Sequence, residues 1–204
     1  MPIYVGTNKI KSIYVGTTKI KKVYVGTTCV YSVGVEYYGT ATALSVARYQ
    51  LAATSVGNYA LFGGGRTEAS SYSAVVDAYN KSLTRSTPTA LSQARYALAA
   101  TSVGNYALFG GGYSKEVYET PRVDAYNKSL TRSTPTALSS ARNDLVATSV
   151  GNYALFGGGR TDVSSYSVRV DAYNTSLTRT TATALSEARY ALAATSVGNY
   201  ALFG

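Results

Sequence analysis

Short apolar runs broken by turn residues organise this chain. Leu51-Ala52-Ala53-Thr54-Ser55-Val56 reads as a strand of mostly small side chains. Gly57-Asn58 is a two-residue hairpin signal in which glycine supplies the positive φ of a type II′ turn. Tyr59-Ala60-Leu61-Phe62 is the return strand. Alternation puts Tyr59 and Leu61 on one face and Ala60 and Phe62 on the other, so both faces are apolar and both should be covered. Gly63-Gly64-Gly65 ends that strand and suits a bulge or a close approach of another backbone. A looser segment, 66–73, leads to a third strand at Val75-Val76-Asp77-Ala78-Tyr79. Asn80-Lys81-Ser82 is a turn by composition, and residues 83–87 form a fourth strand stopped by Pro88.

The block T-S-V-G-N-Y-A-L-F-G-G-G at 54–65 returns unchanged at 101–112 and 148–159, and a fourth copy starts at Thr195 and runs to Gly204. The spacing is 47 residues each time, as from Tyr59 to Tyr106, Tyr153 and Tyr200. A fixed period near 50 residues marks a repeat architecture, and one such unit cannot bury its own apolar faces. Four short antiparallel strands in up-and-down order describe a blade of a β-propeller. The expected fold is therefore all-β, with the small-residue strand innermost beside a crowded axis.

A second repeat with a period of ten precedes this array. Ile3-Tyr4-Val5-Gly6-Thr7 recurs as Ile13-Tyr14-Val15-Gly16-Thr17 and Val23-Tyr24-Val25-Gly26-Thr27. Each unit reads strand, turn, strand, with Tyr4, Tyr14 and Tyr24 on one side. Two segments follow: a lysine-rich β-repeat over 1–27 and the propeller over 28–204. The Y-V-G units resemble short repeats at the start of some phage and prophage structural proteins of Gram-positive bacteria.

The long repeat resembles the Kelch repeat. The marks are the Ala-Arg before the first strand (Arg48, Arg95, Arg142, Arg189), the glycine run, and the tyrosine of the third strand (Tyr79, Tyr126, Tyr173). One departure is that Kelch repeats carry a Trp in the fourth strand, where this chain has Arg85, Arg132 and Arg179. Counting back one period places Cys29–Ser32 and Val35–Thr40 in third- and fourth-strand slots. These would join the last two strands, 190–197 and 200–203, in a shared blade. The expectation is a Kelch-like ring of four four-stranded blades closed by both termini; two copies of an incomplete ring assembling into a larger one is the rival.

Composition narrows the chemistry. The chain is 46% hydrophobic and 14% charged, which excludes a disordered chain. Net charge is +9, and Lys9, Lys11, Lys19, Lys21 and Lys22 all precede the first acid, Glu36. Those lysines read either as solvated strand edges that discourage pairing or as a basic strip for nucleic acid or an acidic partner. Histidine is absent, so the commonest general base and metal ligand is missing and a copper site is not expected. Cys29 is the single cysteine, which excludes an intrachain disulfide and reads as a small core residue. No apolar run approaches ~18 residues, and no charged-then-apolar leader is visible. The glycine triplets lack the Lys-Ser/Thr of a P-loop. Asp77, Asp124 and Asp171 recur once per unit, which favours a structural role: accepting from backbone N–H groups or from a repeat arginine.

The units differ from one another mainly between the second and third strands: Arg66-Thr-Glu-Ala-Ser-Ser-Tyr-Ser73, Tyr113-Ser-Lys-Glu-Val-Tyr-Glu-Thr120 and Arg160-Thr-Asp-Val-Ser-Ser-Tyr-Ser167. In a propeller these connections share one face, and variation gathered on one face is the layout of a binding surface. The candidate binding residues are Arg66, Glu68, Tyr72, Tyr113, Lys115, Glu116, Tyr118, Arg160, Asp162 and Tyr166. The expected function is non-enzymatic: a binding or scaffold protein, a tail-associated phage or prophage virion component presenting this face to a host-surface glycan or protein. The alternatives are a carbohydrate-active hydrolase or isomerase and a bacterial protein–protein interaction module. No cofactor or metal is expected, and neither membrane nor nucleic acid is the expected partner. An incomplete ring would leave edges open to self-association, and the expected location is the cytoplasm or a virion.

Overall fold

A computed structural model describes residues 40–204 throughout and, before them, six short strands. The chain divides into compact units at Met1–Thr40 and Ala41–Gly204. In the first unit, β1 (Tyr4–Val5) pairs with β2 (Asn8–Lys9), β3 (Ile13–Val15) with β4 (Thr18–Ile20), and β5 (Lys22–Val25) with β6 (Thr28–Ser32), all antiparallel. These are the three strand–turn–strand units expected from the period of ten. The facing of Tyr4, Tyr14 and Tyr24, the surroundings of Cys29, and the strand expected over 35–39 lie outside the described residues.

The second unit holds the long repeats. β7 (Ala52–Val56) and β8 (Tyr59–Gly63) form the hairpin around Gly57-Asn58, with Val56 opposite Tyr59. Gly57 takes φ +57° while Asn58 keeps an ordinary negative φ, as the sequence predicts. Residues 66–73 fold into a small hairpin of β9 (Arg66–Glu68) and β10 (Ser71–Tyr72). β11 (Val76–Tyr79) then pairs with β8, and β12 (Arg85–Ser86) with β11. The fourth strand is shorter than expected because Leu83 sits at φ +59°. Asn80 Oδ1 accepts from the N–H groups of Ser82 and Thr84, which extends the turn through Thr84.

The next unit repeats this plan with β13 (Ala99–Val103), β14 (Tyr106–Gly110), the hairpin β15 (Tyr113–Ser114) and β16 (Tyr118–Glu119), β17 (Val123–Asn127) and β18 (Arg132–Ser133). The third contains β19 (Val146–Val150), β20 (Tyr153–Gly157), β21 (Val170–Asn174) and β22 (Arg179–Thr181). These make three four-stranded antiparallel sheets in up-and-down order. β23 (Ala194–Val197) and β24 (Tyr200–Phe203) form a two-stranded sheet. The expected completion of that last sheet by Cys29–Ser32 is not seen: Thr28–Ser32 takes Lys22–Val25 as its partner. The described strands therefore do not close a four-blade ring.

Each sheet lies against the next through opposite faces of its second strand. Leu61 and Phe109 belong to one apolar cluster, and Leu108 and Phe156 to the other. The leucine faces the following sheet and the phenylalanine the preceding one. Gly63 is required here, since a Cβ would stand 2.8 Å from the Phe109 ring. The strands β7, β13, β19 and β23 adjoin one another in order. Residues leading into all four of them line one depression of about 270 Å³. The sheets thus fan about a common axis, with the small-residue strand of each innermost.

The segments between sheets act as mortar. Arg95 N–H donates to Ser73 O of the preceding sheet, and Gly65 N–H donates back to Arg95 O at 2.9 Å. Leu91 N–H donates to Ala74 O at 2.8 Å. The same segment grips the following sheet with side chains. Arg95 Nη2 lies 2.8 Å from Asp124 Oδ2, both side chains fully buried, and Ser92 N–H donates to Asp124 Oδ1 at 3.0 Å. Arg48 with Asp77 and Arg142 with Asp171 repeat the pair. Burial pushes the Arg48, Arg95 and Arg142 guanidinium groups below their ordinary values, with the aspartates opposing. The recurring aspartates therefore hold linker to sheet, as their once-per-unit placement implied. The arginine standing where Kelch repeats have Trp closes the same network: Arg85, Arg132 and Arg179 reach Asp77, Asp124 and Asp171 at 3.9, 3.7 and 3.0 Å.

Candidate functional site

Three backbone bridges position the varying connections at one end of the fan. Tyr49 pairs with Arg66, Tyr96 with Tyr113, and Asn143 with Arg160. In each, the residue after the linker arginine meets the residue after the glycine triplet. The triplet allows this approach. Gly112 sits at φ +110°, and a Cβ there would stand 2.8 Å from Tyr96 O.

Two side-chain groups result. In the first, the Arg66 guanidinium lies over the Tyr96 ring of the next unit, 3.7 Å from its centroid, with Tyr49 at 5.5 Å and Tyr72 at 5.9 Å. Tyr72, Tyr96 and Tyr113 are mutually in ring contact, with centroids 4.9 to 6.1 Å apart, and Tyr118 joins at 5.8 Å from Tyr113. Desolvation alone would lower the Arg66 pKa, but its contacts with Tyr49 and Tyr96 outweigh that and leave it above its usual value. Burial raises the Tyr96 and Tyr113 hydroxyls, so both rings stay neutral donors at physiological pH. Tyr118 is 64% exposed and Tyr49 45%, so the group offers aromatic faces to solvent. In the second, Tyr166 stacks on Tyr190 at 4.5 Å, and Arg160 lies 5.4 Å from the Tyr190 ring.

Of the ten residues singled out from the sequence, Arg66, Tyr72, Tyr113 and Tyr118 come together in the first group, and Arg160 and Tyr166 in the second. The other four stand apart from the rings. Glu68 and Lys115 are exposed. Glu116 accepts from Gln93 Nε2 at 2.9 Å. Asp162 caps its own loop, taking the Ser164 N–H at 2.8 Å, and that bond holds its carboxyl below the usual range.

Sequence reasoning missed Tyr49, Tyr96 and Tyr190, because they recur identically after the linker arginine and resemble scaffold. It also missed Asn143-Asp144, where the third unit departs from Arg-Tyr-Ala-Leu-Ala. Asp144 occupies the position of Gln50, Ala97 and Ala191, all four at positive φ near 50°. Backbone bonds link them around the axis: Ala97 N–H to Gln50 O, Asp144 N–H to Ala97 O and Ala191 N–H to Asp144 O. Burial raises the Asp144 carboxyl above its ordinary value, and the more distant Arg160 and Arg66 partly offset this.

That shift has a testable sign. The folded chain holds the Asp144 proton more tightly than the unfolded chain, so ionised Asp144 costs stability above its folded pKa. The cost disappears as pH falls through that value toward the ordinary carboxylate range. Asp144→Asn, which tolerates the same φ, should raise the urea midpoint at pH 7. The gain should shrink to nothing near pH 3, and an equal gain at both pH values would exclude this account.

No family model matches the chain, and no curated protein does. Among solved structures, that of YjhT is similar, with a TM-score of 0.60 and 13% sequence identity. What the two share is a fold. The likeness covers 69% of this chain and 47% of YjhT, so the chain spans about half the length of that protein.

Among the described residues, no helix is long and apolar enough to cross a membrane.

Proposed function

We propose that residues 41–204 are a Kelch-like β-propeller array that works as a non-enzymatic binding module, a tail-associated component of a phage or prophage virion. Its ligand is a host-surface glycan or protein, taken by the face that carries Arg66, Tyr96, Tyr113 and Tyr118. The observation that carries this reading is the convergence of the varying connections: side chains from two successive units form one arginine-centred cluster of partly exposed tyrosines. Such rings stack on sugar or peptide faces, and tyrosine and arginine are the residue types that dominate contact energies. The virion assignment rests on the resemblance of the Y-V-G repeats. The residues lining the axial depression include a single carboxylate, Asp144, whereas glycoside chemistry uses a pair, which favours binding over catalysis.

The test is a glycan array together with binding to intact bacterial cell walls, comparing the native chain with Arg66→Ala/Tyr113→Ala/Arg160→Ala. Losing the three side chains should weaken binding at least tenfold, about 1.4 kcal/mol, with thermal unfolding little changed. Retained binding would remove this face from the function. Turnover of a glycan by the native chain would replace the reading with the enzymatic one.

A further inference from the structure

The arginines of the repeats divide by what balances them. Arg48, Arg95 and Arg142 each meet a buried aspartate, and Arg85, Arg132 and Arg179 reach the same three carboxylates. Arg66 stands on the varying face and, among the described residues, forms no ion pair with any carboxylate. Asp144 feels its charge but does not pair with it. The side chains around Arg66 come from the first two units, whose four-stranded sheets are complete.

Those side chains hold the guanidinium in place without using up its donors. The Tyr96 ring lies 3.7 Å from it, with Tyr49 and Tyr72 at 5.5 and 5.9 Å. Ring contact of this kind occupies the flat face, whereas the N–H groups lie in the guanidinium plane and suit a planar or forked acceptor. Nη1 reaches Ala69 O only at 3.5 Å, and Nε is shut off from water with no acceptor. Arg160, in the same slot of the third unit, is more tied to its loop, since its Nη2 donates to Val163 O at 2.9 Å. In the second unit the slot holds Tyr113. The neighbouring hydroxyls add donors, because burial keeps those of Tyr96 and Tyr113 protonated at physiological pH. Aromatic surface borders the group, with Tyr49 45% and Tyr118 64% exposed.

The cluster is therefore a fixed donor set of single positive charge beside exposed rings. A neutral sugar would leave that charge unmet, and a doubly charged group would exceed it. We infer that the Arg66 cluster selects glycans bearing a monoanionic sugar, either a uronate carboxylate or a sulfate ester. The oxyanion takes in-plane N–H groups of Arg66, and the sugar ring rests on the tyrosine surface beside it. The inference rests on the proposed glycan-binding role of this face and adds the charge of the ligand.

The test is calorimetric titration of the full chain with trigalacturonate and with its methyl ester, which keeps the rings and removes the charge. The acid should bind saturably and about tenfold more tightly than the ester. Added NaCl should weaken the acid and not the ester. Arg66→Gln should bring acid and ester to equal affinity, whereas Tyr118→Ala should weaken both and keep their ratio. The salt comparison needs no variant, so it decides even where Arg66→Gln fails to fold. A sulfated galactose oligosaccharide run against its unsulfated parent gives the second arm, and the larger charge-dependent gain names the preferred oxyanion. The inference is overturned if neither acidic oligosaccharide saturates the chain, as would happen were a carboxylate from elsewhere in the chain already seated on Arg66. It is also overturned if acid and ester bind alike, or if the preference survives Arg66→Gln. Neutral-glycan binding that is lost in Arg66→Ala/Tyr113→Ala/Arg160→Ala would in that case keep the face as the recognition surface and remove only the selection by charge.

Discussion

Asp171→Asn is expected to cost about 3–5 kcal/mol of folding stability, because it leaves a buried guanidinium without its counter-charge. Asp171 is fully buried and serves three donors: Arg142 Nη2, Ser139 N–H at 3.0 Å and Arg179 Nη1 at 3.0 Å. Asn keeps the shape and one acceptor. It cannot offset the Arg142 charge, and its amide would point donors at donors. Both partners of the Arg142–Asp171 pair are excluded from water, so solvent screening does not soften the loss. Replacing both partners together, Arg142→Leu with Asp171→Leu, should cost less than Asp171→Asn alone. Tyrosine fluorescence during guanidinium unfolding would report both, since the chain has twenty tyrosines and no tryptophan. Equal stability of native chain and Asp171→Asn would show that the linker is held by its backbone alone.

The second large effect is expected at Gly111. Its φ is +68°, which costs a residue with a Cβ roughly 1–2 kcal/mol. A Cβ would also lie 2.6 Å from Arg142 O and 2.7 Å from Leu145 Cδ2. The backbone oxygen belongs to the linker that joins the second and third sheets, so it cannot swing aside as a side chain would. Displacing it adds about 1–3 kcal/mol of overpacking, and Gly111→Ala should lose about 2–5 kcal/mol in all. Gly151→Ala isolates the first part. It has φ +53° with nothing within 4 Å of its Cβ, so it should lose only about 1–2 kcal/mol. Indistinguishable unfolding midpoints for the two variants would mean that the triplet serves conformation and not proximity.

The hairpins around Gly57-Asn58 and its copies were legible because the turn chemistry and the apolar runs on both sides agree. The structural role of Asp77, Asp124 and Asp171 was legible from placement alone. The fourth strand was overrun because Leu83 looks like a strand residue, and only the Asn80 side chain, by holding the turn through Thr84, shows why it is not one. The linkers were the larger loss. Thr89-Ala90-Leu91-Ser92 shows neither helix nor strand alternation, and the side chains that hold it from the following sheet lie more than thirty residues away, as Asp124 does from Ser92. The candidate face was half visible. Variation between units exposed Arg66, Tyr113 and Arg160, but Tyr96 matches Tyr49 and Tyr190 and joins the cluster only because the sheets stand side by side. Asp144 did differ from its counterparts, and its departure from Ala97 and Ala191 was the available signal.

The mortar segments carry one more implication. The junctions before the second and third sheets join like surfaces through the same backbone bonds and the same Arg–Asp pair, so a crossover between those copies of the gene segment would preserve these contacts. Excising 89–135, for example, would bring Pro88 to Thr136 and offer Asp171 the same arginine it already has. What would change is which connection stands beside which tyrosine. Unequal recombination would therefore reorder the varying connections along the array without the framework registering the exchange.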